Sequence, residues 1–183
     1  FPKKSSSQKV IIYHASNLDW SRPSTIEEAV KKIDTFGPHP IEDVEVEKVF
    51  TPRLEDMIKE IKSRDHTNAV VLISVLTNNA KAHQNIYQTK ALLQEALDLL
   101  KKQVTPKNII FLESPPSLKF YIHPYNLAMF HVCHSNGVFF APNLLKPIHI
   151  KPDGLHILNQ FKHLMVKSVS AAIKKVDPKQ FYG

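Results

Sequence analysis

Glycine is scarce in this sequence, with four in 183 residues against thirteen prolines. Ordinary usage is nearer ~7% glycine, and loops that turn sharply or approach a substrate closely draw on it. A lone cysteine, Cys133, excludes an internal disulfide and favours a reducing, intracellular setting. No apolar run is long enough to cross a membrane. No G-x-G-x-x-G follows the first apolar run, and no G-x-x-x-x-G-K-S/T occurs anywhere. The usual signatures of dinucleotide and nucleoside triphosphate binding are therefore missing, and no cofactor is called for. Zinc-finger spacing is missing too. His131, Cys133 and His134 lie close together, yet no second pair has partner spacing and a structural zinc needs about four ligands, so no metal site is assigned.

Basic charge is present in surplus. The formal net charge is +7 and the pI near 9.4, which favours RNA or another polyanion as partner without specifying the fold. Lysines dominate, since Arg22, Arg53 and Arg64 are the only arginines. Lysine suits diffuse attraction to a phosphate backbone better than bidentate reading of bases. The lysines around the last helix, Lys146, Lys151, Lys162, Lys167, Lys174 and Lys175, are the candidate nucleic-acid contacts; solvated helix faces are the alternative reading. Length favours one domain. The start at Phe1 rather than Met reads as an excerpt of a larger or processed protein.

Residues 1–8 read as a flexible leader, 9–177 as the domain and 178–183 as a tail. A buried strand begins at Lys9 and runs toward Ser16. Ser24 or Thr25 is positioned to cap a short helix through Ile33, and residues 35–40 cannot continue it. Residues 44–50 alternate as a strand that exposes Glu45, Glu47 and Lys48. Pro52 suits the first turn of a helix whose apolar face is Leu54, Met57, Ile58 and Ile61. Residues 69–76 are continuously apolar and predict a central parallel strand. A long helix over 80–103, a strand over 108–113, a helix over 125–135 ending at Asn136-Gly137, a short strand over 138–141 and a closing helix over 154–176 complete the series. The closing helix is expected to bury Ile157, Phe161, Leu164, Met165 and Val169. Alternating strands and helices predict a parallel sheet covered on both faces.

Four short blocks, in order, fall at expected strand ends: His14-Ala15-Ser16-Asn17, then residues 50–57 (FTPRLEDM), then Leu76-Thr77-Asn78-Asn79, and finally Asp153-Gly154-Leu155-His156. Together they resemble the Gly-Asp-Ser nucleophile block, the oxyanion-glycine block, the Gly-Thr-Asn-Asp block and the D-x-x-H block of SGNH (GDSL-like) hydrolases. The resemblance spans residues 9–176. It implies a three-layer α/β/α sandwich with a parallel, flavodoxin-like, five-stranded sheet. It also implies Ser16 as nucleophile, His156 as general base and Asp153 as the carboxylate orienting it. Asn78, with the backbone N–H groups of Ser16 and Thr51, would supply the oxyanion donors.

The departures define the functional expectation. The glycines of the first three blocks stand here as His14, Thr51 and Leu76, with Ala15 and Asn79 replacing aspartates and Pro52 following Thr51. His14 and Leu76 are expected to fill the space an acyl group needs. Losing one oxyanion donor costs ~10²–10³ in rate. The resemblance thus implies a hydrolase-like domain without efficient catalysis, kept as a binding module for RNA or a protein partner. The alternative is an active serine esterase using Ser16, His156 and Asp153. Asp153 is equally what an ordinary helix N-cap looks like, and His156 could be a structural histidine.

Overall fold

The computed structural model describes residues 8–32 and 43–176. The expected leader before Gln8, the break over residues 35–40 and the expected tail lie outside the described residues. Strand β1 (Gln8–His14) is followed by α1 (Pro23–Lys31), β2 (Val44–Phe50), α2 (Leu54–Lys62) and β3 (Ala69–Ser74). Then come α3 (Thr77–Lys81), α4 (Ile86–Leu100), β4 (Ile109–Leu112), α5 (His123–Asn136), β5 (Phe139–Ala141) and α6 (Lys162–Lys174). Every pairing between these strands is parallel, in the order β2-β1-β3-β4-β5. This is the α/β five-stranded parallel sheet of the SGNH hydrolase fold.

The apolar pattern explains the layering. All six residues of β3 are buried, as a central strand covered on both faces requires. One face of the sheet offers Ile11, Tyr13, Val71, Ile73 and Phe111 to the cluster that holds the apolar faces of α2, α4 and α5. The other offers Val10, Ile12, Val70, Leu72 and Ile110 to α1 and α6. In α2 the side chains of Leu54, Met57, Ile58 and Ile61 are all buried, each worth ~1.5–3 kcal/mol of transfer free energy.

Local signals moved several boundaries. Gln8 belongs to β1 rather than to a leader. Helix α1 starts at Pro23, whose missing N–H costs nothing at a first position; the cap is Arg22, not Ser24 or Thr25. Pro52 lies before α2, which Arg53 caps. The helix expected over 80–103 is two helices. His83 takes a positive φ of 55°, and the Asn85 side chain accepts from the N–H groups of Tyr87 and Gln88 to start α4 afresh. Helix α5 ends as expected at Gly137, whose φ of 69° is the left-handed cap that glycine supplies. Helix α6 begins only at Lys162, preceded by a 3₁₀ turn over Asn159–Phe161, so residues 154–158 are not helical. No helix among the described residues is long and apolar enough to cross a membrane.

Candidate active site

Parallel strands put all their C-terminal ends on one edge, where open α/β sheets place their sites. The first three blocks follow β1, β2 and β3 directly, and these are adjacent strands. Ser16 opens a single 3₁₀ turn, Ser16–Leu18, immediately after β1, and its side chain is exposed. The first N–H groups of such a turn have no partner within it, so the turn leaves those of Ser16 and Asn17 unused.

The loop carrying Ser16 is tied down firmly. The Lys48 ammonium, on the neighbouring strand, donates to the carbonyls of Leu18 and Ser21. The Ser21 hydroxyl also donates to Leu18 O (2.8 Å), and Trp20 Nε1 to Asn17 O (2.8 Å). Lys48 was expected to face solvent; it is half-buried because this carbonyl cluster recruits it. Burial holds its ammonium below the ordinary lysine range, against the opposing pull of Asp19. Trp20 in turn lies under Lys162 at the start of α6 (5.2 Å from the ring centre).

His14 and Leu76 are both buried, at 3% and 1% exposure. Leu76 joins the core under α2 and α4, and the His14 ring packs against Phe50 with its Nδ1 2.7 Å from Ala15 O. Burial keeps the His14 imidazole below the ordinary histidine range; the contact with Ala15 O opposes this and the Lys48 charge reinforces it.

The second block departs from the implied oxyanion role. Thr51 N–H donates to His14 O at 2.8 Å, extending the ladder between β1 and β2. Pro52 has no N–H. Arg53 N–H is bonded to Asp56 Oδ2 (3.1 Å) and Leu54 N–H to Asn79 Oδ1 (3.0 Å). Every backbone donor from 51 to 54 is therefore occupied, and Thr51 is not an available oxyanion donor. Its side chain is fully buried.

In the third block Asn78 donates one amide hydrogen to Pro52 O (2.9 Å); an amide carries two, so one donor is left over. Asn79 is structural. Its Nδ2 reaches Glu55 Oε1 (2.8 Å) and Gln84 Oε1 (3.0 Å). Gln84 bonds Glu55 in return and accepts from Thr89. An aspartate could not donate these bonds. That network was invisible in the sequence, because Glu55 and Gln84 carry no motif.

The fourth block is an intact Asp–His pair. His156 Nδ1 lies 2.6 Å from Asp153 Oδ2, while Asp153 Oδ1 accepts the N–H groups of Leu155 (2.9 Å) and His156 (3.0 Å). These bonds, led by the His156 N–H, hold the Asp153 carboxyl well below the usual carboxylate range. The pair sits on a small antiparallel turn closed by the bridge between Ile150 and Ile157, not on a helix. Asp153 therefore does not cap α6. Gly154, at φ 79°, is latched: its carbonyl accepts from Leu118 N–H (2.8 Å) and Ser117 Oγ (3.0 Å).

The six candidate lysines differ in exposure and in partners. Lys146 and Lys167 are exposed and Lys151 half-exposed, but Lys162 covers Trp20. Lys174 is 4% exposed and donates to Lys32 O (2.8 Å), tying α6 to the end of α1; it is not a phosphate contact. Lys175 lies over Phe139, which opens β5 and so belongs to the opposite edge of the sheet from the four blocks. Cys133 is buried, and burial pushes its thiol up to about 12. Among the described residues no three His, Cys, Asp or Glu side chains gather into a metal-binding group.

The chain is similar in structure to several esterases. It superposes on a member of the lipolytic G-D-S-L family from Veillonella parvula with a TM-score of 0.69 and 10% identity, over 92% of this chain and 100% of that one. A lipase/acylhydrolase from Enterococcus faecalis gives 0.67 and 17% over 91% and 95%. AlinE4, an SGNH-hydrolase family esterase, gives 0.61 and 16% over 93% and 97%. At these identities the likeness is one of fold. No protein-family model and no curated protein matches the sequence.

Proposed function

We propose that this chain is an SGNH-hydrolase-like domain that has lost efficient ester hydrolysis and serves as a binding module for RNA or a protein partner. One observation carries the reading: no backbone N–H from 51 to 54 is free to meet an oxyanion. A tetrahedral intermediate would be left with Ser16 N–H and the one remaining hydrogen of Asn78. Missing donors of this kind cost ~10²–10³ in rate each. The net charge of +7 supports a polyanionic partner, with Lys146, Lys151 and Lys167 as the candidate contacts that keep solvent access.

A second reading is favoured by the 2.6 Å Asp153–His156 contact. In it Ser16 Oγ attacks an ester carbonyl while His156 Nε2 takes its proton and returns it to the departing alkoxide. Water then hydrolyses the acyl-serine by the same route. Fluorophosphonate labelling of Ser16, together with p-nitrophenyl acetate and butyrate hydrolysis, separates the two. The proposal expects no labelling and a rate equal to that of Ser16→Ala. Labelling at Ser16, or turnover abolished by Ser16→Ala, would establish the esterase instead.

A further inference from the structure

We propose that the cleft between Arg53, Asn78 and Lys81 binds a phosphate group, as the head of a small phosphate monoester or the terminal phosphate of a nucleic acid. The inference rests on the reading that this edge of the sheet no longer serves an acyl oxyanion, and it names the chemistry that replaces it.

The cleft, of about 370 Å³, is lined by Arg53, Asn78, Lys81 and Ala82. Arg53 comes from the loop after β2, and the other three from α3 after β3. Both cations are exposed. Neither takes part in an ion pair among the described residues, although carboxylates stand close in sequence. The acidic neighbours are otherwise engaged: Asp56 accepts the Arg53 backbone N–H, and Glu55 is held by Asn79 and Gln84. Two positive charges therefore face one opening without internal neutralisation. Arg64 shows the contrast, paired with both Glu47 and Glu60.

The walls are also fixed in advance. Asn78 Nδ2 donates to Pro52 O across the cleft, joining the two segments that supply the cations, and leaves its second hydrogen for a ligand. A guanidinium fork, an ammonium and an amide hydrogen offer donors to several oxygens at once. A phosphate dianion matches both the donor number and the charge of +2, whereas a carboxylate has two oxygens and one charge. The side chains that would recognise this ligand lie in the second and third blocks, where the glycine positions hold Thr51 and Leu76.

The test is titration of the domain with inorganic phosphate, following backbone amides and the Asn78 side-chain amide by ¹⁵N NMR. Adenosine 5′-monophosphate against adenosine, and a 5′-phosphorylated against a 5′-hydroxyl oligonucleotide, distinguish the source of the phosphate. Saturable shifts centred on Arg53, Asn78 and Lys81 are expected, weakened at least about tenfold in Arg53→Gln/Lys81→Gln. Both side chains are exposed, and an unchanged Tm would show that the variant is folded. Phosphate affinity unaltered in that variant, shifts centred instead on Lys146 and Lys167, or no saturation at all would overturn the proposal. No carboxylic ester is present in the titration, so its outcome is independent of whether Ser16 proves active as an acyl hydrolase.

Discussion

The backbone N–H of Thr51 is bonded to the carbonyl of His14 at 2.8 Å, which turns a would-be oxyanion donor into one more rung between β1 and β2. The bond belongs to the backbone, so a side-chain change does not release it. Thr51→Gly, which restores the glycine of the resembled block, is expected to leave ester hydrolysis at background. It empties a fully buried site and adds backbone freedom, at a cost of about 1–3 kcal/mol. Urea denaturation and a p-nitrophenyl acetate assay on the same preparation check both halves. A gain of turnover would show that the rung opens.

Two buried histidines make stability depend on pH. His14 and His66 are both held below the ordinary histidine range, in each case first by burial. His66 is fully buried with its Nε2 2.6 Å from Tyr13 OH; Gln103, Asp65 and the Arg64 backbone oppose the depression, and the Arg64 charge adds to it least. A depressed pKa means the unfolded chain takes up protons that the folded chain refuses. Stability is then complete above the unfolded value, ~6.5, and falls as pH drops through the window below it. Thermal unfolding between pH 8 and pH 5 is expected to show Tm falling below about pH 6.5. His66→Gln should flatten that slope, even though it lowers Tm at pH 8. A Tm constant across this range in the parent would refute the assignment.

The elements were legible wherever hydrophobic period and punctuation agreed. β2 was read to the residue, the face of α2 in full, and the end of α5 from Asn136-Gly137, because each is set by local chemistry. The closing helix was misread because Ile157 and Phe161 keep helical spacing with Leu164 while packing from a turn and a bridge. That distinction is tertiary. At the site, the pairing of Asp153 with His156 was implied by the resemblance to the D-x-x-H block. The capture of Lys48 by Leu18 and Ser21 was not, since those are carbonyls about thirty residues away. Hydrogen bonds to backbone leave no residue-type signature.

Gly154 is the one glycine within the four blocks, and the structure shows what it does there. A Cβ there would stand 2.7 Å from Lys119 Cγ and 3.2 Å from Lys119 N, on a backbone at φ 79°. The lysine side chain could swing away; the backbone nitrogen could not. Gly154→Ala is expected to cost about 1–2 kcal/mol from the left-handed conformation alone, and to loosen the Leu118 N–H bond to residue 154. Chemical denaturation reads the first. Faster hydrogen exchange at Leu118, with little change in β3, reads the second.

Asn79 allows the sharpest test of whether the third block now serves structure. Its Oδ1 accepts from Leu54 N–H, and its Nδ2 donates to Glu55 and Gln84. Asn79→Asp restores the aspartate of the resembled block and keeps the acceptor. It also sets a carboxylate against the Glu55 carboxylate, where an amide stood 2.8 Å away. Acceptor then faces acceptor, with both groups charged at neutral pH. Destabilisation of about 1–3 kcal/mol is expected at pH 7. The sign of its pH dependence follows from the pair. Two carboxylates this close share a proton, so the pair binds protons more tightly folded than unfolded. Acid should therefore relieve the variant: its deficit against the parent shrinks as pH falls from 7 to 4.5. Asn79→Ala separates this from simple loss of hydrogen bonds, because its deficit carries no such slope. Equal slopes for the two variants would mean that Glu55 does not face residue 79 in solution.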